Sequence, residues 1–169
     1  MVTVTDAATA GKIAAAVPDP ELPMLTLADL GILRGVRAEG DVVVVTITPT
    51  YSGCPALREI AGDLRYRLRQ AGFAHVEVRS QLAPAWTSDW ITPSGRRKLA
   101  AAGIAPPGAA GQRASGPVPL TLTAALRRVG CPRCGSQRTT QTAAFSGTAC
   151  KALYRCDECR EPFECIKDI

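Results

Sequence analysis

The hydrophobic positions along the chain change period several times, and each change predicts an element. Between residues 7 and 17, Ile13, Ala14 and Val17 fall on one helical face, and Pro18 stops the run, predicting a first helix. Leu30 to Ala38 predicts a strand, Glu39-Gly40-Asp41 a turn, and the apolar run Val42 to Thr48 a second strand. From 55 to 71 the helical period returns: Leu57, Ile60, Ala61, Leu64 and Leu68 share a face, while Arg58, Arg65 and Arg69 point elsewhere. Gly72 ends that helix, and His75 to Leu82 alternates as a third strand. The order α-β-β-α-β predicts an α+β fold, a two-layer domain with helices packed on one face of a small sheet.

Periodicity then stops. The stretch from Ala105 to Pro119 is rich in Pro and Gly, holds a single charge and reads as a linker. It divides the chain into a domain over residues 1–104, the linker 105–119, and a small β-rich module over 120–169. Leu120 to Arg128 fits a strand or a short helix equally well. Arg138 to Phe145, Cys150 to Arg155 and Glu161 to Ile166 predict three strands.

The module carries the clearest chemistry. Cys131 and Cys134, then Cys156 and Cys159, form two CxxC pairs separated by 21 residues. Each pair puts two thiolates on one tight turn, and two such turns close a tetrahedron around Zn²⁺ at Zn–S distances of about 2.3 Å. Disulfides and an iron–sulfur cluster are the competing uses of such cysteines. Two knuckles on a three-stranded sheet make a zinc ribbon, whose small core leaves the metal to supply much of the folding free energy.

Composition narrows the partners. No apolar run approaches a membrane span, and the start of the chain lacks the pattern of a secretory signal, so a cytoplasmic location is expected. There, seven cysteines favour metal and thiol chemistry over bridges. The net charge of +5 raises the question of nucleic acid. However, residues 1–104 carry 11 basic and 10 acidic side chains, and residues 105–169 carry 9 and 5, so the excess sits with the cysteine pairs. Four thiolates around one Zn²⁺ take about two charges back. With eight aromatics in the whole chain, no basic stripe interleaved with rings is visible, and no nucleic-acid partner is expected.

A second thiol stands apart. Thr46 to Ala56 runs from the buried strand through a glycine-containing turn into the helix, with Pro55 at its first position and Cys54 at the N-cap. The free N–H groups and positive dipole end there favour a thiolate. Such a thiol can hold a soft metal or cluster, or attack as a nucleophile; equally, it can be a small residue tightening the turn. His75, the one histidine, lies far away in sequence and reads as an exposed edge residue.

Other residues carry two readings each. Asp19, Glu21 and Asp29 lie before the first strand, placed either to face Cys54 across the sheet end or to cap and solvate their loop. Trp86 and Trp90 serve packing or a partner surface, and Asp89 between them a turn cap or an acidic group near the thiol. Cys150 and Cys165 read first as core thiols. Arg58, Arg65, Arg67 and Arg69 form a solvated face or a dock for an acidic partner.

Three segments carry a family resemblance: Asp19-Pro-Glu-Leu-Pro-Met-Leu-Thr26, Asp29-Leu-Gly-Ile32 and Thr48-Pro-Thr-Tyr-Ser-Gly-Cys-Pro55. They resemble the iron–sulfur assembly family that includes SufT-like proteins. Trp86-Thr-Ser-Asp-Trp-Ile-Thr92, Gly103-Ile-Ala-Pro-Pro107, Thr148 to Cys156 and Glu161-Pro-Phe163 narrow this to the PaaD (PaaJ) type, accessory proteins of the bacterial phenylacetyl-CoA epoxidase system.

The resemblance implies a non-enzymatic role in phenylacetate catabolism: insertion or repair of an iron or iron–sulfur centre in the oxygenase or reductase. It places the family's reactive cysteine on Cys54 and its acidic motif on Asp19 and Glu21, with Asp29 nearby. The ribbon ligands fall on Cys131, Cys134, Cys156 and Cys159. One carrier thiol offers too few ligands for a stable cluster, so a homodimer or ligands from the client are expected. A structural scaffold of the epoxidase is the rival expectation.

Overall fold

The computed structural model describes residues 4–51, 53–110 and 128–169 and divides into two compact units, residues 1–98 and 99–169. The first holds helix α1 (Val4–Ala15), strands β1 (Leu33–Glu39) and β2 (Val42–Ile47), helix α2 (Ala56–Gln70) and strand β3 (His75–Ser80). A 3₁₀ turn over Ser88–Trp90 and helix α3 (Pro93–Ala101) follow. The second unit holds strands β4 (Thr139–Ala143), β5 (Lys151–Cys156) and β6 (Pro162–Ile166).

The first sheet has the order β1-β2-β3. β1 and β2 form an antiparallel hairpin turning at Gly40, whose φ of +65° suits a residue without a Cβ. β2 and β3 are parallel, joined by α2 as the crossover, and this fixes α2 against the sheet. As the central strand, β2 is an unbroken apolar run with Val43, Val44, Val45 and Ile47 all fully buried. α1 packs on β1 and on α2, so the helices and sheet make the α+β layers that the α-β-β-α-β order predicts.

Three features differ from the sequence expectation. First, β1 starts at Leu33 and not Leu30, because Asp29-Leu-Gly-Ile is a tight turn with Gly31 at φ +67°. A Cβ on Gly31 would stand 2.6 Å from Trp90 Cβ and 2.7 Å from its carbonyl oxygen, so the turn is shaped by contact with the Ser88–Trp90 segment. Second, α3 has no counterpart in the periodicity. Its sequence Pro-Ser-Gly-Arg-Arg-Lys-Leu-Ala-Ala has weak helical patterning. It is instead started by Thr92, whose hydroxyl accepts from Gly95 N–H at 3.0 Å, with Pro93 at the first helical position.

The third difference lies at the expected linker. Ala105 is buried and pairs in parallel with Cys165, so the Pro/Gly-rich stretch begins as part of the second unit. Ala105 N–H donates to Glu164 O at 2.8 Å, and Ile166 N–H donates to Ala105 O at 3.0 Å. Those two bonds and an apolar pocket outweigh the local composition. Residues 111–119, and all of the Leu120–Arg128 segment except Arg128, lie outside the described residues.

The second unit's strands run antiparallel in the order β4-β5-β6 around Ala105, Val129, Ala152, Tyr154 and Phe163. Tyr154 and Phe163 stack with centroids 5.9 Å apart. Lys151, 8% exposed, is neutralised by Glu164 at 2.8 Å, and the Ser146 hydroxyl also bonds that carboxylate. Burial pushes the Glu164 carboxyl up, and the Lys151 and Ser146 contacts more than reverse this, leaving it below its ordinary value.

Candidate functional site

Two sulfur sites emerge. In the ribbon, Cys131 N–H donates to Ser136 O and Gly135 N–H to Cys131 O, both at 2.9 Å, folding the first knuckle. Cys156 N–H donates to Glu161 O at 3.0 Å and folds the second. The residue after each knuckle is left-handed: Gly135 at φ +75°, and Arg160 at φ +66°, the sole non-glycine residue at positive φ among those described.

The two knuckles bring Cys131, Cys134, Cys156 and Cys159 together with all four sulfurs within 4.8 Å of one another. Cys131 Sγ lies 3.8 Å from Cys159 Sγ, and Cys134 Sγ lies 3.6 Å from Cys156 Sγ. A tetrahedron with metal–sulfur bonds of about 2.3 Å has edges of about 3.8 Å. The donor set therefore fits Zn²⁺ in type, number and spacing. No disulfide joins any of the seven cysteines.

Electrostatics point the same way. The Cys156 thiol is brought down to about 7, chiefly by the Cys159 N–H. Cys159 feels the Glu161 N–H pulling down, but desolvation and its three neighbouring thiols push it up to about 12. At Cys134 the Ser136 N–H also favours the thiolate, and Cys156, desolvation and Cys131 outweigh it. Like charges this close disfavour one another, and a central dication makes four thiolates compatible. Of the remaining ribbon thiols, Cys165 is buried in the core and Cys150 is half-buried, 3.1 Å from the Thr148 hydroxyl. Neither joins the four-sulfur group.

The second site is the loop between β2 and α2. Thr48 anchors its start: it is buried, and its N–H donates to Ile32 O at 2.8 Å. The Thr48 hydroxyl, fully enclosed, has no hydrogen-bond partner among the described residues. Cys54 N–H donates to Tyr51 O at 3.2 Å, and Leu57 N–H to Cys54 O at 3.3 Å. Helix α2 begins one residue later than expected: Pro55 takes the cap position with helical dihedrals, φ −66° and ψ −28°, which its ring favours. Cys54 is the half-buried residue just before the cap, not the cap itself.

Asp19 is tied to its own loop, and Asp29 to its own loop and to Lys98. Asp19, 6% exposed, accepts from Glu21 N–H at 2.9 Å and Leu22 N–H at 2.8 Å. It also lines a cleft of about 280 Å³ together with Glu59 and Asp63 of α2. Asp29 binds the Thr26 N–H and hydroxyl, both at 3.1 Å, and Lys98 Nζ at 2.6 Å. Burial works to raise the Asp29 carboxyl; Lys98 and Thr26 outweigh it and hold the group below its ordinary value. Among the described residues, the four ribbon cysteines are the one group of three or more Cys, His, Asp or Glu side chains spaced to hold an ion. Cys54, Asp19, Glu21 and Asp29 do not converge into a second.

The two tryptophans make contacts within the fold. Trp86 is buried and donates its indole N–H to Leu30 O at 2.8 Å. Trp90 lies under the Arg34 guanidinium, 3.7 Å from the ring centre. Thr87, not Asp89, supplies the cap of the 3₁₀ turn. His75 is exposed beside Asp41, at 3.6 Å. The Asp29–Lys98 tie has no local signature in the sequence, because its partners are 69 positions apart. The Thr92-Pro93 pair is the signal that could have announced α3 and so placed Lys98 on it.

Comparison with known proteins decides the family. Residues 115–167 match the model of the PaaD zinc beta ribbon domain, and residues 15–79 match that of an iron-sulfur cluster assembly protein. A protein of Escherichia coli (strain K12), provisionally named as one of the subunits of 1,2-phenylacetyl-CoA epoxidase, is 48% identical over 153 residues, covering 90% of this chain and 87% of that protein. The chain belongs to the PaaD family. A PaaD chain thus joins an iron–sulfur-assembly-type domain to a zinc ribbon, as the sequence resemblance implied. In fold, the crystal structure of a domain of unknown function, DUF59, from Bacillus anthracis is similar: 26% identity, TM-score 0.51, covering 55% of this chain and 90% of that one. No described helix is long and apolar enough to cross a membrane.

Proposed function

We propose that this chain is a non-catalytic accessory factor for phenylacetyl-CoA epoxidase that assists maturation of an iron or iron–sulfur centre in its oxygenase or reductase subunits. The observation that carries this reading is the union, in one chain 48% identical to a protein named as an epoxidase subunit, of an assembly-type domain with a four-thiol ribbon. Zn²⁺ on Cys131, Cys134, Cys156 and Cys159 is a structural ion: four protein thiolates complete the shell and leave no open position for chemistry. Thiolate ligation of this kind suits the reducing cytoplasm.

The relay role falls to Cys54, half-buried on the loop that feeds α2. Its thiolate contributes one ligand to the cargo iron or cluster, and the remaining ligands come from the client or a second copy of the chain. Transfer is then ligand exchange, with no net oxidation. Asp19, Glu21 and Asp29 act by shaping their loop, consistent with the backbone bonds that Asp19 and Asp29 accept.

The test is Cys54→Ala. Zinc content and thermal unfolding should stay as in the parent, while iron or cluster loading of the epoxidase subunits is abolished; normal loading overturns the proposal. The name of the relative as a subunit favours a second reading, a scaffold that stays bound. A scaffold raises the activity of an already matured complex stoichiometrically, whereas a maturation factor leaves it unchanged.

A further inference from the structure

Helix α2 is anchored by one face and leaves another open. Ala56, Ile60, Leu64 and Leu68 form its buried line. With about 100° per residue, Arg58, Arg65 and Arg69 fall within about 40° of one another on the opposite side. Arg58 and Arg69 are exposed and Arg65 is half-buried. None of the three has a carboxylate partner among the described residues, whereas Arg67, around the helix, is paired with Asp63 at 3.0 Å. Arg65 reaches the Ala61 carbonyl of its own helix, at 3.3 Å.

Two neighbours sharpen the picture. Gly62 sits in the same stripe, and a Cβ there would meet nothing within 4 Å, so the space beside the arginines is open. Tyr66 borders the stripe with 63% of its surface exposed. An exposed aromatic beside guanidinium groups that lack carboxylates is the composition of an interface centre and not of an ordinary solvated helix.

We propose that this face of α2 is a docking surface for an acidic protein, one presenting carboxylates along a span of about 16 Å, the rise from Arg58 to Arg69 at 1.5 Å per residue. Charge complementarity selects carboxylates, which guanidinium forks bind in bidentate fashion. The adjoining stripe selects protein over nucleic acid or a lipid surface. It carries Glu59 and Asp63, which repel a continuous polyanion but suit a surface of mixed charge. Cys54 lies four residues before Arg58, at the end of the loop that feeds the helix. A partner seated on the stripe therefore has its near end at the relay thiol. That the acidic partner is an epoxidase oxygenase or reductase protein rests on the accessory-factor reading above; the dock does not rest on the relay role of Cys54.

The experiment measures retention of purified epoxidase oxygenase and reductase proteins, one at a time, on the immobilised full chain. The variants are Arg58→Glu/Arg65→Glu/Arg69→Glu, the same three positions changed to Lys, and Cys54→Ala. The expected result is retention of one epoxidase protein that weakens with salt, falls roughly tenfold or more on triple charge reversal, and is largely kept by the Lys variant. Zinc content and thermal unfolding verify that the reversed variant is folded, and Arg→Gln at the three positions replaces it if it is not.

Unchanged retention in the reversed variant overturns the proposal. So does retention of neither protein, or preferential retention of duplex DNA or of phosphatidylserine vesicles. Cys54→Ala separates the two claims. Full retention with normal maturation leaves the dock standing and removes the relay; lost maturation beside unchanged retention in the charge-reversed chain does the reverse.

Discussion

The two sulfur sites differ in how much structure holds them. The ribbon cysteines sit on two knuckles, each closed by backbone hydrogen bonding, with all four sulfurs within 4.8 Å and two of their separations, 3.8 and 3.6 Å, near the edge length of a tetrahedron. Cys54 sits half-buried on a loop, tied through its backbone at 3.2 and 3.3 Å, and belongs to no ion-holding group of side chains among the described residues. A site meant to keep its ion is over-determined in the manner of the ribbon. A site that releases its cargo, as proposed for Cys54, cannot be, since every added ligand slows exchange. The contrast predicts that sulfur in the ribbon carries stability and sulfur at position 54 carries function.

The largest effect should come from breaking the tetrahedron. Cys156→Ser removes a fully buried ligand; metal-coupled folding in such modules is worth on the order of 10 kcal/mol, so the ribbon should lose its zinc and its strand signal together. Zinc analysis and circular dichroism read this, and a folded ribbon without zinc would break the comparison. Acid should act similarly, because protons compete with the metal for thiolates, and zinc release should grow as pH falls.

Next is Asp29→Asn in the first unit. Losing the charge opposite Lys98 should cost about 1–3 kcal/mol by denaturant unfolding. The sign with pH follows from its lowered carboxyl: the contribution is complete above the ordinary value of 3.8 and is lost as pH falls through the lower folded value. The parent and variant curves should therefore converge in strong acid.

The two knuckles allow a finer comparison. Gly135→Ala puts a Cβ on a left-handed residue and should cost about 1–2 kcal/mol. Arg160→Gly relieves the same conformation in the other knuckle; about 1–2 kcal/mol of left-handed strain outweighs roughly 0.4–1 kcal/mol of added freedom in the unfolded chain, so the variant should be stabilised by up to about 1 kcal/mol. Thermal melts of the zinc-loaded protein decide both. The smallest effect should be that of Cys54→Ala, within about 1 kcal/mol of the parent. A larger loss would make Cys54 a packing residue.

The central layers were legible from the sequence, because β2 and α2 each bury one clear pattern, a continuous valine run and a four-residue apolar repeat, and β3 begins by alternating exposed with half-buried positions. The four ribbon thiols were legible because metal geometry leaves few spacings. The turn at Gly31 was not, since it is set by the Trp90 backbone 59 positions away. The same holds for Lys98, which meets Asp29 across 69 positions, and for Ala105, whose strand partner lies 60 positions on. Local composition describes such segments as loop or linker; only the fold shows what they touch. The one-residue difference at Cys54 has the opposite origin: Pro55 takes helical angles by itself and claims the cap.

The pairing at Ala105 has a further consequence for handling the molecule. A bare outer edge on β6 would offer a row of backbone groups to any other extended chain, the usual start of strand-to-strand aggregation. Ala105 occupies part of that edge with its own N–H and carbonyl. A ribbon produced from residue 115 onward, the first residue matched to the ribbon family, would lack this cover. Starting such a fragment before Ala105 should keep it monomeric at concentrations where the shorter one self-associates.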